Sequence, residues 1–144
     1  VCCDLALSYD IGVVMENNFG LSATVDSTLE MIARVDRPNF GINYDPGNLY
    51  RMAEYHGPEA LARFGELTWN VQVKDCYKDD QVDDYQRLLG EGAVDYDIIV
   101  AWLAEAEYDG YLSAECHREP DDEMSAEDIA RHEFEAIKKL IQNV

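Results

Sequence analysis

Residues 40–48 read FGINYDPGN, a short apolar run that ends in the acid Asp45 and is followed at once by Pro46, Gly47 and Asn48. The run reads as a β-strand and DPGN as a tight turn, with Pro46 and Gly47 setting the backbone. A strand that ends on a carboxylate is the unit from which the rest of the chain is read.

The same unit recurs on both sides of it. Upstream, IGVVM at residues 11–15 is a β-branched run that leads into Glu16, with Asn17 and Asn18 behind it. Downstream, WNVQVKD at residues 69–75 carries Gln72 within the run and ends in Lys74-Asp75. Near the C-terminus, residues 111–114 lead into Glu115, followed by Cys116, His117 and Arg118. Strands are expected near residues 11–16, 40–45, 68–73 and 111–115.

Helical stretches separate them. Leu29, Ile32 and Ala33 have the i, i+3, i+4 spacing of a helix over residues 27–35, capped by Asp26 or Ser27 and stopped by Pro38. Residues 49–55 and 58–64 read as helices broken at Gly57, with Pro58 suited to a first turn. Val94 opens another helix, and Ser125 begins a last one with Glu127 and Asp128 in its first turn and Lys138 and Lys139 near its end. Residues 1–9 read as the tail of an earlier helix, and the polar stretch 76–91 as a loop over the strand ends.

Alternating strands and helices imply a parallel sheet, either doubly wound or half of a barrel. The chain has 144 residues, about half of the roughly 250 that a (β/α)₈ barrel needs. It begins at Val1 rather than a methionine. A partial barrel of about four β/α units, with an N-terminal half absent, is the expectation for residues 1–144. The open edges of such a piece invite association, so the piece alone is expected to be a homo-oligomer or poorly soluble.

Composition narrows the partners. Thirty acidic against 11 basic residues give a net charge of −19, which repels nucleic-acid phosphates and anionic membranes. No apolar run approaches the roughly 18 residues of a membrane helix. The four cysteines form neither a C-x-x-C pair nor a disulfide framework, so a reducing, cytoplasmic setting is the default.

In a parallel α/β protein the C-terminal strand ends converge on one face. Glu16, Asp45 and Glu115 would meet there, and crowding acids costs energy unless a cation offsets it. Oxygen ligands favour Mg²⁺ or Mn²⁺. The plainer reading of each acid is a turn starter or helix cap. Read from the residues alone, Lys74 is a surface lysine paired with Asp75. The GEG at residues 90–92 wraps an anion or a hydroxyl, or is a surface turn.

The segments VVMENN (13–18), PNFGINYDPGN (38–48), VQVKD (71–75), LGEGAVDY (89–96) and YDGYLSAE (108–115), in this order and spacing, resemble the sugar phosphate isomerase/epimerase family with the xylose isomerase-like TIM barrel. The resemblance covers nearly the whole chain and implies the C-terminal half of such a barrel. It implies a divalent metal, Mn²⁺ or Mg²⁺, held by Glu16, Asp45, Gln72 and Glu115. Gln72 stands where the family usually has histidine, and an amide oxygen ligates such a cation more weakly than imidazole does. Asn48 stands where many members carry a substrate-facing histidine.

The activity implied is isomerisation or epimerisation of a small sugar through an enediolate, with Glu16 and Glu115 exchanging the proton. Asn18, Asn48, Lys74, His117 and Arg118 are the substrate-binding residues it implies. The other classes left open are a barrel hydrolase, of the endonuclease IV type or a two-carboxylate glycosidase, and a catalytically silent barrel that only binds.

Overall fold

A computed structural model describes residues 1–144. In chain order the strands are β1 (Val13–Glu16), β2 (Phe40–Tyr44), β3 (Thr68–Val73), β4 (Tyr77–Lys78), β5 (Asp83–Asp84) and β6 (Tyr111–Ala114). The helices are α1 (Cys2–Leu7), α2 (Val25–Val35), α3 (Pro46–Arg51), α4 (Pro58–Phe64), α5 (Tyr96–Glu105) and α6 (Ala126–Gln142).

The main sheet has the order β1-β2-β3-β6, and each neighbouring pair is parallel. A doubly wound sheet reverses its strand order at a switch point. This order never reverses, so the winding is that of half a barrel. Helices α2, α4, α5 and α6 pack in succession along one face. The core lies between that layer and the sheet: Ile42, Tyr44, Val71 and Val73 meet Leu61, Phe64, Ile99 and Leu103. Burying each such side chain contributes about 1.5–3 kcal/mol.

Alternation along the strands places polar side chains on the opposite, inner face. Ser113 donates to Asn70 and Asn70 to Asn43. Asn43 in turn donates to Gln72, and Gln72 to Glu115. A register shift between β2 and β3 lays the Trp69 ring against Gly41, where a Cβ would collide with the indole. Trp69 is therefore a neighbour of that glycine rather than a member of the apolar cluster, which Trp102 does join from its edge.

Four local expectations are corrected. The first strand begins at Val13, not residue 11. Helix α2 is capped by Thr24, whose hydroxyl accepts from the Ser27 N–H in a capping box. The DPGN segment is the first turn of α3, not a separate tight turn: Asp45 is its N-cap, and the helix ends at Arg51 rather than near residue 55. Proline at the first helical position explains the early start, because its missing N–H costs nothing there. The loop after β3 contains the antiparallel hairpin β4–β5. That hairpin is tied to α3 by Arg51 and Asp83, and by a 2.6 Å bond from Lys78 Nζ to the Arg51 carbonyl. No helix is long and apolar enough to cross a membrane.

Candidate metal and substrate site

Glu16 is the last residue of β1, Asp45 directly follows β2, Lys74 directly follows β3 and Glu115 directly follows β6. Parallel pairing brings these ends together. Carboxylate oxygens of Glu16, Asp45 and Glu115 all lie within 4.8 Å of one another. Lys74 joins them, its Nζ 2.7 Å from Asp45 Oδ2 and 2.8 Å from Glu115 Oε2.

Asp45 is fully buried and does two things at once. Its Oδ1 accepts the Asn48 N–H at 2.9 Å as the helix cap. Its Oδ2 faces Lys74 but receives no aligned hydrogen bond. Burial pushes the Asp45 carboxyl up to about 6, against the pull of the Lys74 ammonium. For Glu115, burial also pushes upward, but Lys74, Gln72 and His117 together outweigh it and hold the carboxyl below its ordinary range. Burial would lower Lys74, yet Asp45 and Glu115 outweigh that and hold its ammonium above the usual value.

The residues behind the carboxylates hold them in place. Asn17 is buried and bridges β1 to β2, donating to the Asp45 carbonyl at 2.7 Å and accepting the Asp45 N–H at 2.8 Å. Tyr96 from α5 clamps the Lys74 backbone, its hydroxyl accepting the Lys74 N–H at 2.8 Å and donating to the Lys74 carbonyl at 2.9 Å.

Asp75, next in the chain, is buried away from Lys74 and does not pair with it. Its carboxylate accepts the N–H groups of Cys76, Gly90, Gly92 and Val94. The GEG turn thus does wrap an anion, and the anion is Asp75 itself. A Cβ at Gly92 would collide with that carboxylate.

The remaining residues expected at the site fall in different places. Asn48 is buried and gives its amide N–H₂ to Glu16 Oε1 at 2.7 Å and to the Asn17 carbonyl at 3.1 Å. Asn18 donates to the same Glu16 oxygen at 2.9 Å. His117 Nε2 lies 3.3 Å from Glu115 Oε1. Gln72 turns its amide nitrogen to Glu115 and its oxygen to Asn43, so the oxygen expected to ligate a cation is spent on a neighbour. Arg118 pairs with Asp121 at 2.5 Å and is not among the residues lining the cavity at the strand ends.

That cavity has a volume of about 350 Å³ and includes Asn18, Asn48, Lys74, Glu115 and His117. It also includes Phe19, Arg51 and Tyr85, which the sequence reading did not reach. One signal was available for Arg51. It stands three residues after Asn48 in α3, and that spacing puts two side chains on one helix face.

The three carboxylates suit a hard divalent cation. Oxygens at about 2.1 Å from Mg²⁺ leave opposed ligands roughly twice that far apart, close to the span seen. Asp45 Oδ2, buried and 2.7 Å from the Lys74 ammonium, is the oxygen for which Lys74 and such a cation would compete.

Comparison with known proteins agrees with this architecture. The family model described as xylose isomerase-like TIM barrel matches residues 2–140. A protein of Methanocaldococcus jannaschii, the uncharacterized protein MJ1311, is 28% identical over 145 residues, covering 96% of this chain and 47% of that protein. The crystal structure of the probable 3-DHS dehydratase AsbF from Bacillus anthracis superposes with a TM-score of 0.77 at 22% identity, over 94% of this chain and 52% of that one. A D-tagatose 3-epimerase-like protein superposes with a TM-score of 0.75 at 23% identity, over 99% of this chain and 51% of that one. The chain thus spans about half the length of these relatives. Its parallel β/α units, its acids at three of the four strand ends and the match along nearly all its length place the chain in the xylose isomerase-like TIM barrel family.

Proposed function

We propose that the protein is a metal-dependent sugar isomerase or epimerase. The observation that carries the reading is the convergence of Glu16, Asp45 and Glu115 within 4.8 Å, with Glu115 also lining the cavity at the strand ends. Glu16, Asp45 and Glu115 would hold an Mn²⁺ or Mg²⁺ ion. When bound, that ion supplies Lewis-acid polarisation of a ketose carbonyl and acidifies the adjacent C–H.

The protein's own groups then move the proton. One of Glu16 and Glu115 takes it from the carbon beside the carbonyl, leaving an enediolate. The other returns a proton to the opposite face of that carbon, which inverts it, or to the former carbonyl carbon while the adjacent hydroxyl passes its proton to the former carbonyl oxygen, which moves the carbonyl. Asn18 and Asn48 both donate to Glu16 Oε1, leaving its second oxygen free of those bonds. Lys74 is close enough to Glu115 to stabilise negative charge on the substrate oxygen.

A second reading has its own support. The Lys74 ammonium already bridges Asp45 and Glu115, as it would in a barrel that binds without metal. An endonuclease IV type of site would want several histidines, and His117 is the one histidine lining the cavity.

The test is solvent exchange. The complete protein with Mn²⁺ and a panel of ketoses in D₂O should place deuterium on the carbon next to the carbonyl, read by NMR. Glu16→Gln and Glu115→Gln should each slow exchange by roughly 10²- to 10⁴-fold with an unchanged circular dichroism spectrum. Absence of exchange with every ketose, despite bound Mn²⁺, would sink the proposal.

A further inference from the structure

Arg51 is an unusual side chain for this protein. The chain has only 11 basic residues against 30 acidic ones, and each of its seven arginines, Arg51 included, pairs with an acid. What sets Arg51 apart is its place: it lines the cavity at the strand ends beside Lys74 and His117, with its side chain only 14% exposed.

The guanidinium is held rigidly. Its carbon lies 5.4 Å from the centre of the Phe19 ring and 5.0 Å from that of Tyr85, within cation–π range. Tyr85 also meets the His117 ring edge-on at 5.4 Å, closing the wall between them. Asp83 of the β4–β5 hairpin accepts from Nε at 2.8 Å and from Nη2 at 3.1 Å. That pairing uses one edge of the guanidinium. Nη1 donates to nothing in the protein and is not among its buried unpartnered atoms, so the Nη1/Nη2 edge is left as a two-pronged donor. Such a fork matches two oxygens of a carboxylate or phosphate, and pre-ordering it spares the entropy of fixing a long side chain on binding.

We propose that Arg51 recognises an oxyanion carried by the substrate at the end remote from the carbon that Glu16 and Glu115 serve. The substrate class is then an acidic sugar, bearing a carboxylate or a phosphate. This rests on the sugar isomerase or epimerase reading for the identity of the ligand. Arg118, which the family resemblance implied as a substrate-binding residue, pairs with Asp121 and does not line the cavity.

The experiment is calorimetric binding to the complete protein of three ketoses: D-fructose, D-fructose 6-phosphate and D-fructuronate. At least one charged sugar should bind tenfold or more tighter than D-fructose, and which one does separates phosphate from carboxylate recognition. R51Q should weaken the preferred charged sugar by roughly 10- to 100-fold, the loss expected for a hydrogen-bonded charge, while changing D-fructose less than threefold. Should R51Q fail to fold, R51K carries the test, because it keeps the charge and loses the fork; an undiminished preference there overturns the proposal. Equal weakening of neutral and charged sugars in R51Q overturns it, as does wild-type protein that does not discriminate. Arg51-dependent binding of a charged sugar without any deuterium exchange supports the proposal and counts against the isomerase reading alone.

Discussion

The Lys74 ammonium and the Asp45 carboxylate sit 2.7 Å apart, with side chains 5% and 0% exposed. Three acids converge at this point, and Lys74 is the one cation the chain itself supplies there. Removing one partner of a buried pair leaves the other uncompensated. Lys74→Met should therefore destabilise the metal-free protein by about 3–5 kcal/mol. Denaturant melts with EDTA check this, and a Lys74→Met/Asp45→Asn double variant should recover much of the loss. Lys74→Met should also bind Mn²⁺ more tightly, because it removes the competing cation.

Asp45 ties metal affinity to pH. Its carboxyl titrates at about 6 in the folded protein against an ordinary value of 3.8. A raised folded value means stability that is fully present below about pH 4 and is lost as pH rises through 6. The loss is about 3 kcal/mol. Relative to Asp45→Asn, the metal-free wild type should lose stability over that window. Mn²⁺ must displace the same proton, so calorimetry should show affinity falling roughly tenfold per pH unit below 6. Affinity that does not change between pH 5 and 7 would contradict this account.

Gln72 is placed to hold Glu115 rather than to ligate. Gln72→His should tighten Mn²⁺ binding if an imidazole at this position reaches the ion, since nitrogen suits Mn²⁺ better than an amide oxygen. Calorimetry at pH 7 decides it. An unchanged Mn²⁺ affinity would mean that position 72 serves only the inner-face hydrogen-bond chain through Asn43 and Asn70.

Asp75 and Gly92 form a structural unit. Asp75→Ala leaves four backbone N–H groups without their acceptor, and Gly92→Ala drives a methyl group into that carboxylate. Each should cost at least about 1–3 kcal/mol. Melting temperatures of the two variants and their combination test the coupling. Additive losses in the combination would mean that the turn and the acid act separately.

Residues 40–48 illustrate what local sequence carries and where it stops. The strand and its terminal acid were legible, because strand formation and chain reversal depend on neighbours. The role of Asn48 was not. Its amide reaches Glu16, 32 residues away, and nothing within the segment indicates that partner. The first turn of α3 was misread as a free turn for the same reason: proline and glycine suit both, and packing onto the sheet selected the helix.

By itself, then, the amino-acid sequence determined the alternation of strands and helices and the acid at the end of three strands, because periodicity and chain-breaking residues act over a few positions. Parallel winding followed from that alternation, and the convergence of Glu16, Asp45 and Glu115 followed from the winding. Only the tertiary structure decided which charges meet. It brought Lys74 between Asp45 and Glu115 and folded the GEG turn around Asp75. It also turned Gln72 toward Asn43, drew Arg51 into the cavity and left Arg118 outside. Apart from the Arg118–Asp121 pair, those choices join residues 15 or more positions apart, and they are set by burial and by the pairing that each buried charge requires, which no local pattern encodes.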